Sequence, residues 1–224
     1  MTALLISCEY ATCAVPEAHR DLFRGAEDVV TSAEGWDPGA LNLAQGFAMR
    51  FRTPLIHGQH TRLLIDLDAE GAARWSRFSK KIPEAGRQKL VDREGLSYRT
   101  SLRQRIEEDL RRNPAMMHLM VRTVAAPEGK VVLETFAAAG PGLGESLAEA
   151  WQQRMFESGL DVSHRGKVIG SALAAELGAL FPPERYGLIR LKVAQSFFLE
   201  GRPLRWDALK KVLFESLAAV TAEG

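Results

Sequence analysis

Short apolar runs of strand length alternate with longer segments whose apolar residues recur every three or four positions. This alternation constrains the fold more than any other feature of the chain. Ala3 to Cys8 is an apolar run that stops at polar residues and reads as a buried strand. Leu55-Ile56 and Leu63-Leu64-Ile65 read as shorter strands. Asp37-Pro38 marks a helix start, because Asp caps and Pro suits the first helical position. Leu41, Ala44, Phe47, Ala48 and Phe51 follow at helical spacing. Ser101 to Arg112 reads as a charged surface helix. Met116 to Val121 and Val131 to Phe136 read as strands, and the turn Pro127-Glu128-Gly129 between them suggests a hairpin. Gly142 to Phe156 and Ile169 to Phe181 look helical, Tyr186 to Gln195 is a strand, and Trp206 to Val220 is a closing helix with an apolar stripe.

Strands interleaved with helices predict an α/β fold of three layers, α/β/α, and the hairpin makes the central sheet mixed. Ligands bind such sheets at the carboxyl ends of the strands, so chemistry is sought in the segments that follow them. A chain of 224 residues is read as one domain, 1–224.

Composition narrows the partners. The net charge is +1, which gives no reason to expect a nucleic-acid or membrane partner. The run Arg103 to Arg112 is most simply a solvated helix face with Glu–Arg pairs. No stretch approaches the roughly 18 apolar residues of a membrane span, and the opening Met1 to Glu9 lacks the basic start of a signal peptide. The two cysteines, Cys8 and Cys13, are too few for a disulfide framework and read as small core residues. A reduced, cytoplasmic protein is expected.

Six segments in order carry a resemblance. They are Ile6-Ser7-Cys8-Glu9-Tyr10-Ala11 with Val15-Pro16; Trp36-Asp37-Pro38-Gly39-Ala40 with Leu43-Ala44; Thr61 to Asp68; His118 to Val124; His164-Arg165-Gly166; and Tyr186 to Gln195. Together they resemble the signatures of the N-formylglutamate amidohydrolase family. That resemblance implies a hydrolase fold similar to the zinc carboxypeptidases. It also implies a chemistry in which a metal-bound water attacks an amide carbonyl, a glutamate moves protons and an arginine grips the substrate carboxylate.

The departures fall on the residues this chemistry needs. Where the family pattern has His in its first signature, this chain has Tyr10, and a phenol with a pKa near ~10 is a poor zinc ligand. The His of the fourth signature is Arg122, whose guanidinium repels a dication. The Asn-Arg ending the third is Asp68-Ala69, and two glutamates of the last strand are Arg190 and Lys192. Residues two apart on a strand share a face, so Arg190 and Lys192 enter one site.

The resulting expectation is an N-formylglutamate amidohydrolase-like protein with lost or strongly reduced catalysis and a metal-free, cationic pocket. Arg62, Arg122, Arg165, Arg190 and Lys192 would supply positive charge, and Glu9, Asp66 and Asp68 would pair with it. The cluster is either structural or a pocket for a small acidic amide or amino-acid derivative, since Arg binds carboxylates in a bidentate way. No cofactor is expected; zinc would enter only if the family site were retained, with Glu9 and His118 as weak ligand candidates. One alternative is an active amidohydrolase with a rearranged site, using Glu9, Tyr10, Asp66, Asp68 and His118 as ligands and proton carriers. Another is a structural or interaction protein with no pocket function.

Blander readings stand beside these. His118 shares a strand face with Met116, Met120 and Arg122 and reads as a satisfied, partly buried histidine. His57 and His60 read as solvent-exposed loop residues. The glycines of Ala139 to Glu145 suit a turn into a helix, and the segment lacks the Gly-Lys-Ser/Thr ending of a phosphate loop. Asp37 has two readings: a helix N-cap, which suffices without function, and a position that the family resemblance puts near the site.

Overall fold

The structure, a computed structural model, describes residues 2–125, 131–136, 142–166 and 171–223. Its strands are β1 (Ala3–Cys8), β2 (Leu55–His57), β3 (Met116–Val124), β4 (Val131–Thr135), β5 (Val162–Arg165) and β6 (Tyr186–Ala194). Its α-helices are α1 (Glu27–Thr31), α2 (Ala40–Phe51), α3 (Glu84–Leu90), α4 (Ser97–Arg112), α5 (Leu143–Glu157), α6 (Ala172–Leu180), α7 (Ser196–Leu199) and α8 (Pro203–Glu223).

The strands form one six-stranded sheet in the order β2-β1-β3-β6-β4-β5. The sheet is mixed, as the sequence predicts, but for a different reason. β3 and β4 are not a hairpin, because β6 lies between them, parallel to β3 and antiparallel to β4. β3 and β6 are buried along nearly their whole length, so an apolar run gives no sign of which neighbour it pairs with. The predicted turn at 127–129 lies outside the described residues, as do Ile169 and part of the glycine segment.

Side-chain alternation sends each strand's residues to two cores. Ile6, Leu119, Ile189 and Leu133 pack with Phe47 of α2, Trp151 of α5 and Leu213 of α8. On the other face, Leu5, Met120 and Leu188 pack with Leu102 of α4 and Leu177 of α6. Helices therefore cover both faces, the three-layer arrangement expected from the alternation. Close approach of α5 to the sheet explains a glycine pair: a Cβ on Gly187 would lie 2.9 Å from the Gly144 backbone nitrogen.

Leu63-Leu64-Ile65 is not a strand. It turns, and its side chains fill a third, smaller core with Phe23, Val30, Phe78 and Leu90. Among the described residues no helix is long and apolar enough to cross a membrane.

Candidate functional site

The carboxyl ends of β1, β3 and β6 carry most of the predicted site. Register sets Arg122 opposite Lys192 and Met120 opposite Arg190 across the β3–β6 pair, and Glu134 of β4 opposite Arg190 on the other side. Cross-strand partners share a face, so Arg122, Arg190, Lys192 and Glu134 emerge together on the side covered by α4 and α6.

Arg122 is committed. Its Nε donates to Asp37 Oδ2 at 2.5 Å, and its guanidinium lies 3.9 Å over the Tyr10 ring. Burial opposes its charge, but Asp37, Tyr10 and Glu9 together hold its pKa above the ordinary arginine value. Arg62 approaches the same carboxylate at 3.5 Å and stacks on the same ring at 4.5 Å. Its remaining donors go to the Glu34 and Ala33 carbonyls, which tie down the loop before α2. Asp37 is thus not a side-chain N-cap. The cap position of α2 is Gly39, at φ 88°, and Asp37 contributes only its carbonyl, which accepts from Ala40 N at 3.0 Å. The Asp-Pro signal marks the helix start two residues early, since α2 begins at Ala40, and the buried guanidiniums take the Asp37 carboxylate.

Tyr10 is held between the two arginines and donates to Asp66 Oδ1 at 2.6 Å. Burial pushes its phenol pKa well above the ordinary value. Asp66 spends its carboxylate on this bond and on the Asp68 backbone N–H. Asp68 accepts from Ser171 Oγ at 2.5 Å, and Ser171 in turn caps α6 through the Ala174 N–H. Burial raises the Asp68 carboxyl to about 6, against the opposing pull of Arg190.

Lys192 donates to Glu134 Oε1 at 2.5 Å. Arg190 is held more loosely, 3.7 Å from both Asp68 and Glu134, and is 5% exposed. Its Nε and Nη2 have no hydrogen-bond partner among the described residues. Arg165 is exposed near the end of β5, and register places it opposite Glu134.

Glu9 does not join these ion pairs. It sits 1% exposed, and its Oε1 accepts from Ser7 Oγ at 2.9 Å and Tyr98 OH at 2.8 Å. Ser7 also meets His118 Nε2 at 2.9 Å, and His118 Nδ1 meets Tyr186 OH at 2.7 Å. His118 is fully buried, deeper than the sequence reading placed it, and burial lowers its pKa to about 3. His57 and His60 are half-buried rather than exposed, His57 ending β2 and His60 lying 3.2 Å from Glu94.

Of the acids expected to balance the cations, only Asp68 does so directly. The missed partners are Asp37 and Glu134; equally unforeseen are Ser7, Tyr98, Tyr186 and Arg99, the last buried between Glu176, Glu70 and the Leu67 and Ala69 carbonyls. The register opposite Arg190 is the signal that exposes Glu134, and it exists only once β6 is known to pair with β4. Five acids, Glu9, Asp37, Asp66, Asp68 and Glu134, stand among the buried or half-buried cations Arg62, Arg122, Arg190 and Lys192, with Arg165 exposed at the edge, so the site is an ionic cluster of both signs rather than a cationic pocket.

These residues do not fit a catalytic metal. Catalytic zinc takes three protein ligands and an open position. Among the described residues no three His, Cys, Asp or Glu side chains are grouped to hold one. Both His118 nitrogens are engaged, and guanidiniums stand beside Tyr10 and Asp68.

A mixed sheet covered by helices on both faces, with a buried ionic cluster at the carboxyl ends of its parallel strands, defines an α/β protein whose site lies where such sheets bind ligands. Solved structures share that fold. A gene product from Agrobacterium tumefaciens matches with a TM-score of 0.80 at 18% identity, over 99% of this chain and 90% of its own. The N-formylglutamate amidohydrolase from Ralstonia eutropha JMP134 matches with a TM-score of 0.71 at 16% identity, over 100% of this chain and 96% of its own. No protein-family model and no curated protein matches the chain. The family that the six sequence segments resemble therefore supplies a solved structure with the same fold.

Proposed function

We propose that this amidohydrolase-like chain has given up metal-assisted hydrolysis and binds a small acidic amide or amino-acid derivative by its carboxylate, at the carboxyl ends of β1, β3 and β6. One observation carries this reading: the buried Arg190 guanidinium, whose Nε and Nη2 have no hydrogen-bond partner among the described residues although Asp68 and Glu134 stand 3.7 Å from it. A buried donor without a partner costs about 1–3 kcal/mol, more when charged. A carboxylate recovers that cost through paired N–H···O bonds. Arg122 and Lys192 are already spent on Asp37 and Glu134, which leaves Arg190 as the grip.

Calorimetric titration with N-formyl-L-glutamate and glutarate, metal analysis and a formate-release assay test this together. The expected result is binding without zinc and without formate, weakened about tenfold or more by Arg190→Met. One tightly held zinc per chain, or release of formate, overturns it. The second reading, a rearranged but active site, draws on Asp68, whose buried carboxyl titrates at about 6 and is poised for proton transfer near neutrality. Formate release abolished by Asp68→Asn would favour that reading.

A further inference from the structure

We propose that the ligand of this site carries a free ammonium group as well as a carboxylate, and that Glu9 Oε2 receives the ammonium. The inference rests on the Arg190 reading above and narrows its ligand to unacylated amino acids and amino-terminal peptides.

The hydrogen-bond chain behind Glu9 has one consistent direction. Ser7 Oγ spends its single proton on Glu9 Oε1, so it accepts from His118 Nε2. The uncharged imidazole then accepts at Nδ1, and Tyr186 OH is the donor. Tyr98 adds a second donor to the same Glu9 oxygen. Every proton in this chain runs toward Oε1, which fixes the carboxylate plane and leaves Oε2 with no hydrogen-bond partner among the described residues.

Among the described residues Arg62 and Arg122 turn to Asp37, Arg190 to Asp68 and Glu134, and Lys192 to Glu134. Asp66 also lacks a cation among the described residues, but it is half-buried and takes two donors on Oδ1. Glu9 alone of the site acids is buried, without an ion pair among the described residues and bare on one oxygen. Such an oxygen is satisfied best by a charged donor.

Ser7, which holds Glu9 Oε1, pairs with Met120, and Met120 pairs with Arg190, so Glu9 and Arg190 reach the same face of the sheet, where the charges of both act on the Asp68 carboxyl. The site thus offers a carboxylate oxygen without a donor and, on Arg190, two nitrogens without an acceptor among the described residues, the Asp68 and Glu134 carboxylates standing 3.7 Å off. A zwitterion answers both. A formylated nitrogen answers only the second, since acylation removes the ammonium charge.

Titration of the whole chain at neutral pH with L-glutamate, N-formyl-L-glutamate and glutarate tests this, because the three acids differ at one nitrogen. L-glutamate is expected to bind about tenfold or more tighter than the other two. Glu9→Gln is expected to erase that preference, with its melting temperature reporting whether it folds. If it does not fold, the wild-type comparison alone decides. Equal affinity for all three overturns the inference while leaving the Arg190 grip standing. Binding of none of them overturns both.

Discussion

Arg122 Nε donates to Asp37 Oδ2 at 2.5 Å, with the two side chains 9% and 2% exposed. The pair joins the end of β3 to the start of α2, and the Tyr10 ring lies against the guanidinium. Removing one member of a buried pair strands the other charge, which costs about 3–5 kcal/mol. Arg122→Met and Asp37→Asn are each expected to lose stability in that range in urea unfolding. The double variant should cost less than the summed singles by about 1–3 kcal/mol. Additive losses would show that the two charges act independently.

Two buried groups make opposite contributions to acid stability. His118 titrates at about 3 in the fold against 6.5 outside it, so its stabilising share is present above 6.5 and is lost as pH falls toward 3. Asp68 titrates at about 6 in the fold against 3.8 outside it, so its share is present below 3.8 and is lost as pH rises through 6. Between pH 6 and 3.8 the two slopes cancel. Asp68→Asn removes one of them. Its stability should fall by about 3 kcal/mol across that window relative to the wild type. Chemical denaturation across the same pH range reads the difference, and parallel curves for the two proteins would contradict it.

Gly39 carries a backbone and a packing constraint at once. Its φ is 88°, and a Cβ there would lie 2.6 Å from Phe198 Cγ. Gly71 has a φ of 53° with nothing within 4 Å of its Cβ position. Gly71→Ala should therefore cost about 1–2 kcal/mol, the left-handed backbone penalty alone. Gly39→Ala should cost about 1–3 kcal/mol more for overpacking against Phe198. Equal losses in urea midpoints would mean that Phe198 yields without cost.

The layers of the fold were legible because each buried strand and each amphipathic helix announces itself locally. Strand order was not. β3, β4 and β6 are all buried runs, and nothing in Val131 to Phe136 says that Tyr186 to Ala194 intrudes between it and β3. The cations Arg122, Arg190 and Lys192 stand out in the sequence because they replace a His and two glutamates of the family pattern that the six segments resemble. Their partners were hidden, since Asp37 looks like a helix cap and Glu134 becomes their neighbour only through the β4–β6 register. Leu63-Leu64-Ile65 looked like a strand because a short apolar run has no periodicity to separate a strand from a buried turn.

The contact between Tyr10 and Arg122 gives the metal question a direct test. The guanidinium lies 3.9 Å over the phenol ring, so imidazoles at both positions would be neighbours on the same side of the sheet. Arg122→His also removes the charge that repels a dication and releases Asp37, which Arg62 still partly neutralises at 3.5 Å. Two imidazoles with the Asp37 or Glu9 carboxylate make up the three protein ligands that zinc takes. The wild-type protein is expected to show no change in melting temperature with added zinc. The Tyr10→His, Arg122→His double variant should gain about 2.7 kcal/mol at zinc a hundredfold above its Kd, reversed by a chelator. Zinc stabilisation of the wild type would contradict the metal-free reading. A double variant that folds and still ignores zinc would show that Tyr10 and Arg122 are not what keeps the ion out.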